Sequence, residues 1–188
     1  LVEKLEANPE FGILSPLHYN DGNLGLDKAF SIYYDRKSHE NGQIATVPFV
    51  NAAAWMIGRE CIEKIGAFEP LFGHYGEDRN YCDRVLFHGF KIGIDKDSRI
   101  IHDRIISRNF KKDIVQSRYK VLTALLNINN SVFVACLMGL REVFGLPKYF
   151  SRFYGYGKAI SLFFNLLVFY FRYIFRVPAI IKARQNSK

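Results

Sequence analysis

The chain has 188 residues, 49% apolar and 23% charged, with a net charge of +8; that balance excludes a disordered polymer and allows one cored domain plus an appendage. Residues 141–188 carry nine Lys or Arg against one acid, Glu142, so they hold the whole positive excess, together with 13 of the 29 aromatic residues. A neutral body with a basic, aromatic end points to an attachment device and argues against a nucleic-acid-binding fold. The three cysteines, Cys61, Cys82 and Cys136, form no CxxC pair and are odd in number, which argues against a disulfide framework and fits a reducing compartment.

In chain order, "LVEKLEA" predicts the last turns of a helix, with Leu1, Val2 and Leu5 on one side, and "NPE" stops it. The chain opens there without Met or a signal-peptide pattern. "FGILSP" predicts a short buried strand ended by Pro16. Residues 17–45 are polar, with "NDGN" and "HENGQ" as turn signals, and predict a long, partly irregular surface connection. "TVPFV" (46–50) is a second predicted strand. "AAWMIGRECIEKIG" (53–66) sets Trp55, Ile57, Cys61, Ile62 and Ile65 at helical spacing, with Gly66 as the closing cap.

"AFEPLFGHYG" reads as an aromatic loop. "EDRNYCDRVLFHG" (77–89) predicts a helix with acids in its first turn, an apolar stripe of Tyr81, Cys82, Val85 and Leu86, and Gly89 at its end. "FKIGI" (90–94) and "RIIH" (99–102) are the following strands, and the Asp95-Lys96-Asp97 string between them reads as a turn. Strand and helix alternate to about residue 103, which predicts an α/β fold over 1–103 and a separate helical region over 104–188.

The tail begins with a basic helical stretch, "DRIISRNFKKDIVQSRYK". The uncharged run "VLTALLNINNSVFVACLMGL" (121–140) has the length of a membrane span, but "NINNS" makes a crossing costly. The run 159–171 is 13 residues long, too short to span, and Ser161, Asn165, Arg172 and Arg176 form one polar stripe on a helix. That pattern fits a helix lying in a membrane interface or one packed on the protein body. The first is favoured by the wide apolar face and basic flanks, which places the chain on the cytoplasmic face of a membrane, held by 141–188.

Glu77 and Asp78 admit two readings: a stabilising pair at a helix start, or a carboxylate that takes a proton from an attacking hydroxyl. Their surroundings favour the second. The order Asn51-Ala52-Ala53, Gly66-Ala67-Phe68, Gly76-Glu77-Asp78, Arg84, Gly89-Phe90 and His102 resembles the acceptor-side half of family-2 glycosyltransferases. These are inverting nucleotide-sugar enzymes of the GT-A fold.

The resemblance implies the C-terminal half of such a domain, followed by an α-helical tail. Asp78 would be the general base. Glu77, Gly76 and Trp55 would contact a saccharide or lipid-linked acceptor, and Asn51 and Ala52 the donor sugar. His102 would help bind a divalent metal (Mn or Mg) or the diphosphate. Trp55 is equally readable as core, and His102 as a structural histidine. Asn80 stands where the family often has a second acid. The resemblance also implies a nucleotide-binding half with a DxD ahead of Leu1, so that these residues alone would transfer no sugar. The alternative is a non-catalytic membrane-surface module, with the acids as a cap and the tail as the function.

Overall fold

The computed structural model describes residues 1–20, 25–37, 39–103 and 108–188. They form two compact units, Leu1–Phe68 with Tyr81–Ile106, and Glu69–Asn80 with Ser107–Lys188. The first unit is mixed α/β. Its elements are α1 (Val2–Ala7), β1 (Phe11–Tyr19), α2 (Lys28–Lys37), β2 (His39–Asn41), β3 (Ile44–Thr46), β4 (Met56–Ile57), α3 (Arg59–Ile65), most of α4 (Glu77–Phe87) and β5 (Lys91–Ile101). The strands make one five-stranded sheet in the order β2-β3-β5-β1-β4. β1 and β5 run parallel at its centre, and β3 and β4 flank them antiparallel. Ile13, Leu14, Ile92 and Ile94 are fully buried, as expected of central strands covered on both faces.

Pro16 does not end β1. The strand continues to Tyr19, and its register with β5 shifts at Pro16: Pro16 pairs with Asp95 and Leu17 with Arg99. Lys96, Asp97 and Ser98 therefore loop out of β5, and a proline without an N–H is tolerated beside such a bulge. The two strands expected over 90–94 and 99–102 are thus one.

Asp95 organises the bulge. Its carboxylate accepts from Asp97 N (3.1 Å) and the Ser98 hydroxyl, and pairs with Lys4 Nζ at 2.5 Å; Lys4 also reaches Asp97 at 2.6 Å. A lysine thus fills the Asp95-Lys96-Asp97 string. Burial pushes the Asp95 carboxyl up, but Lys4, Ser98 and the Asp97 amide outweigh it and hold the group below its ordinary value. Hydrogen bonds to Asp95, then Asp97, raise Lys4. The latch is therefore complete between about pH 4 and pH 10. It is lost as acid protonates Asp95 below its lowered pKa, or as alkali deprotonates Lys4 above its raised one. Lys4→Met is expected to cost about 2 kcal/mol at neutral pH. Urea unfolding should show the gap to the native chain closing as pH falls through the lowered pKa of Asp95; a gap that persists in acid would remove the ion pair from the account.

The described residues of the polar stretch 17–45 include a helix and two strands, while the turn expected at "NDGN" falls mostly outside the described residues. Asp27 caps α2, its Oδ1 accepting from Ala29 N (2.9 Å) and Phe30 N (3.0 Å), and Phe30 is fully buried. β2 and β3 then form a hairpin turned at Gly42, whose φ is +64°. The strand expected over 46–50 lies earlier: β3 ends at Thr46, and Val47 and Val50 are buried in irregular backbone around Pro48, which cannot donate to a ladder.

Likewise α3 is shorter than its apolar spacing predicts. Met56 and Ile57 join the sheet as β4, and the helix starts only at Arg59. Gly66 does close it, with φ +78°. Arg84, 4% exposed, donates from Nη1 to Ala67 O at 2.7 Å and from Nη2 to Ile65 O, so its guanidinium caps the last turn of α3.

The second unit is helical: α5 (Phe110–Leu126), α6 (Val132–Ile174) and α7 (Val177–Asn186). The uncharged run 121–140 is not one helix. α5 ends at Leu126, and α6 restarts after the "NINNS" turn with the Ser131 hydroxyl accepting from Val134 N. α6 is itself broken at Gly155 (φ 76°, ψ 172°), a backbone state that only glycine takes cheaply. Its arms fold back on one another: Tyr170 donates to Cys136 O at 3.1 Å, and the Phe144 and Phe163 rings lie 5.3 Å apart. The core is Val121, Leu122, Leu125, Val143, Leu162 and Leu166. Among the described helices, α6 alone has the length and composition to cross a membrane, which is weak evidence for a crossing.

Candidate functional site

The Glu77-Asp78 pair sits where a tight turn meets α4. Tyr75 (φ 91°) and Gly76 (φ 86°) both lie in the left-handed half of φ, a state that costs a tyrosine on the order of 1–3 kcal/mol. Packing in the second unit enforces it. A Cβ on Gly76 would lie 3.0 Å from Thr123 Oγ1 and 3.1 Å from the Phe72 ring, and the Tyr119 hydroxyl accepts from Gly73 N at 3.1 Å. The loop is thus wrapped on α5; Gly76 is required by both conformation and close approach, and Gly73 by the approach of the Tyr119 hydroxyl alone.

Asp78 is half-buried, and its Oδ1 accepts from Arg79 N at 2.7 Å. Glu77 is also half-buried, and its Oε2 has no hydrogen-bond partner among the described residues. The same is true of Oδ1 of Asn80, which is 2% exposed. The first turn of α4 therefore presents a half-buried carboxylate beside two buried oxygens that lack donors among the described residues. Acids here also complement the partial positive charge of the helix start. Chemically, the arrangement can accept protons and hydroxyl donors.

The first unit holds a second polar group. His18, near the carboxyl end of β1, is fully buried, stacked on Phe30 with centroids 4.7 Å apart. The Ser15 hydroxyl donates to Ala54 O (2.9 Å) and lies 3.0 Å from His18 Nε2, which is consistent with that nitrogen donating to Ser15. His102 follows β5, its ring edge-on to His18 at 5.8 Å. Its Nδ1 is buried, without a hydrogen-bond partner among the described residues, and stands 3.9 Å from Asp27 Oδ2. Two imidazoles and a carboxylate thus meet at the carboxyl end of the parallel strand pair, where open α/β sheets bind ligands.

Asn51 is tied to α2, accepting from the Tyr33 hydroxyl at 2.8 Å, and Ala52 is exposed. Trp55 belongs to an aromatic cluster with Phe68 and Tyr81, at 6.3 and 6.1 Å, so the core reading accounts for it. The structure thus groups Gly76, Glu77 and Asp78 in one turn and His102 with His18 and Asp27. His18, Asp27, Tyr33 and Tyr119 escaped the sequence reading. Only Asp27, just ahead of "KAFSIYY", carried a local signal, that of a helix cap.

No group of three His, Cys, Asp or Glu that could hold an ion exists among the described residues. Two clefts, of 290 and 250 Å³, open elsewhere in the first unit, around α1 and at Phe11 and Lys91, where β1 and β5 begin. No protein-family model, curated protein or solved structure matches the chain.

Proposed function

We propose that the chain is the acceptor-side part of an inverting glycosyltransferase, one that moves a sugar from a nucleotide donor to a saccharide or lipid-linked hydroxyl. The observation that carries this reading is the Tyr75-Gly76 turn. Strained backbone packed against α5 delivers a half-buried Asp78 at a helix start, and such strain is retained where position matters. Asp78 takes the proton of the acceptor hydroxyl as it attacks the anomeric carbon. Glu77 Oε2 and Asn80 Oδ1, both lacking donors among the described residues, accept from acceptor hydroxyls. The diphosphate role of His102 rests on the family resemblance; its buried Nδ1, which accepts or donates no hydrogen bond among the described residues, is compatible with it. No step is assigned to a metal ion.

The experiment is a transfer assay on the full-length protein with a panel of nucleotide sugars and simple saccharide acceptors. Proton NMR of the product reports the anomeric configuration. The expected result is transfer with inversion, as a single displacement with one base requires. Retention of configuration, or no transfer from any donor, would overturn the reading.

A further inference from the structure

The second arm of α6 has two apolar faces, and only one is used inside the protein. Leu162, Leu166 and Tyr170 face inward and are 0–7% exposed. On the opposite side Ile160, Phe164, Val168, Phe171 and Phe175 recur at spacings of four, four, three and four, between 43% and 82% exposed. Phe144 of the first arm, 58% exposed, continues this surface across the hairpin through Phe163, which also touches Phe164 at 5.4 Å. A contiguous apolar surface of this extent marks an interaction site.

We propose that this face of the α6 hairpin seats the protein in the headgroup region of an anionic lipid leaflet, a reading independent of the transferase assignment. Charge selects the occupant. Lys158 and Arg172 are exposed on the second arm, Arg176 just beyond its end, and Arg141, Lys148 and Arg152 on the first, within a segment whose one acid is Glu142. At 100° per residue, Arg172 lies about 80° around the axis from Phe164. Its stem can follow the apolar surface while its head reaches lipid phosphates. A second copy docking here would bring like charges together. A crossing is disfavoured by the 13 uncharged residues of 159–171, which cover about 20 Å of a ~30 Å hydrocarbon core. Asn165, part of the polar stripe, is held by Arg118 Nε at 2.7 Å, so the helix lies on its own bundle with its outer face turned to lipid.

Flotation of the full chain with vesicles of phosphatidylcholine, alone or mixed with phosphatidylglycerol, tests the proposal. Binding to the mixed vesicles is expected, at least about tenfold weaker on neutral vesicles or in 0.5 M salt. Phe164→Glu with Val168→Glu should weaken it by at least about tenfold at an unchanged melting temperature, because both side chains are exposed. Equal binding to both vesicle types, binding indifferent to the double substitution, or resistance to alkaline carbonate extraction would each overturn the proposal. So would a dimer in light scattering that the double substitution abolishes.

Discussion

On the proposed transferase reading, Asp78→Asn in the full-length protein is expected to lower turnover by at least about a hundredfold, leaving donor affinity unchanged. Asparagine matches aspartate in shape and can still accept from Arg79 N. It cannot accept the acceptor's proton. Because Asp78 is only half-buried, the substitution disturbs little packing. The acid limb of the pH–rate profile should vanish with the carboxylate, while Asp78→Glu should keep it at reduced rate. Near-normal turnover in the asparagine variant would leave the acid as a helix-start residue and nothing more.

Arg184→Met is expected to destabilise the second unit by about 3 kcal/mol. Arg184 is 4% exposed, and its guanidinium donates to Leu125 O (3.0 Å), Asn127 O (2.7 Å) and Asn130 O (2.5 Å). It therefore closes the end of α5 and the turn into α6 from a position on α7. Methionine fills much of the volume but removes the guanidinium donors from the Leu125, Asn127 and Asn130 carbonyls. Arg184→Lys should recover only part of the loss, since one ammonium cannot reproduce the planar fork. Hydrogen exchange provides the measurement: amides of α7 and the last turn of α5 should lose protection together. Unchanged protection in α7 would show that the contact does not hold it.

The parts legible in the sequence were those determined by neighbouring residues. Acids at 77–78, the Tyr81-Cys82-Val85 stripe and Gly89 mark α4 within about a dozen residues, and α4 runs Glu77–Phe87. Gly66 was readable as a cap for the same reason. The misses depended on partners distant in sequence. The spacing of Trp55 and Ile57 with Cys61 imitates a helix, yet β4 pairs with β1 and the Trp55 ring packs on Phe68 and Tyr81. β5 looked like two strands because its bulge is held by Asp95 and by Lys4, which is 91 residues away. The α6 hairpin rests on one φ angle at Gly155, which no pattern of apolar residues reports.

The Gly76-Glu77-Asp78 turn could be named as a site but not described, because its shape comes from Tyr119 and Thr123 on a later helix. His102 could be named too, whereas His18 and Asp27 join it only through the strand pairing.

The two units are fastened by different chemistry. In the first, a latch depends on an ionised carboxylate; in the second, the Arg184 clamp joins a permanent cation to amide oxygens, none of which gains a proton in dilute acid. Acid strong enough to protonate Asp95 should therefore loosen the sheet unit while the clamp of the helical unit is untouched, so the two units should differ in how they withstand low pH.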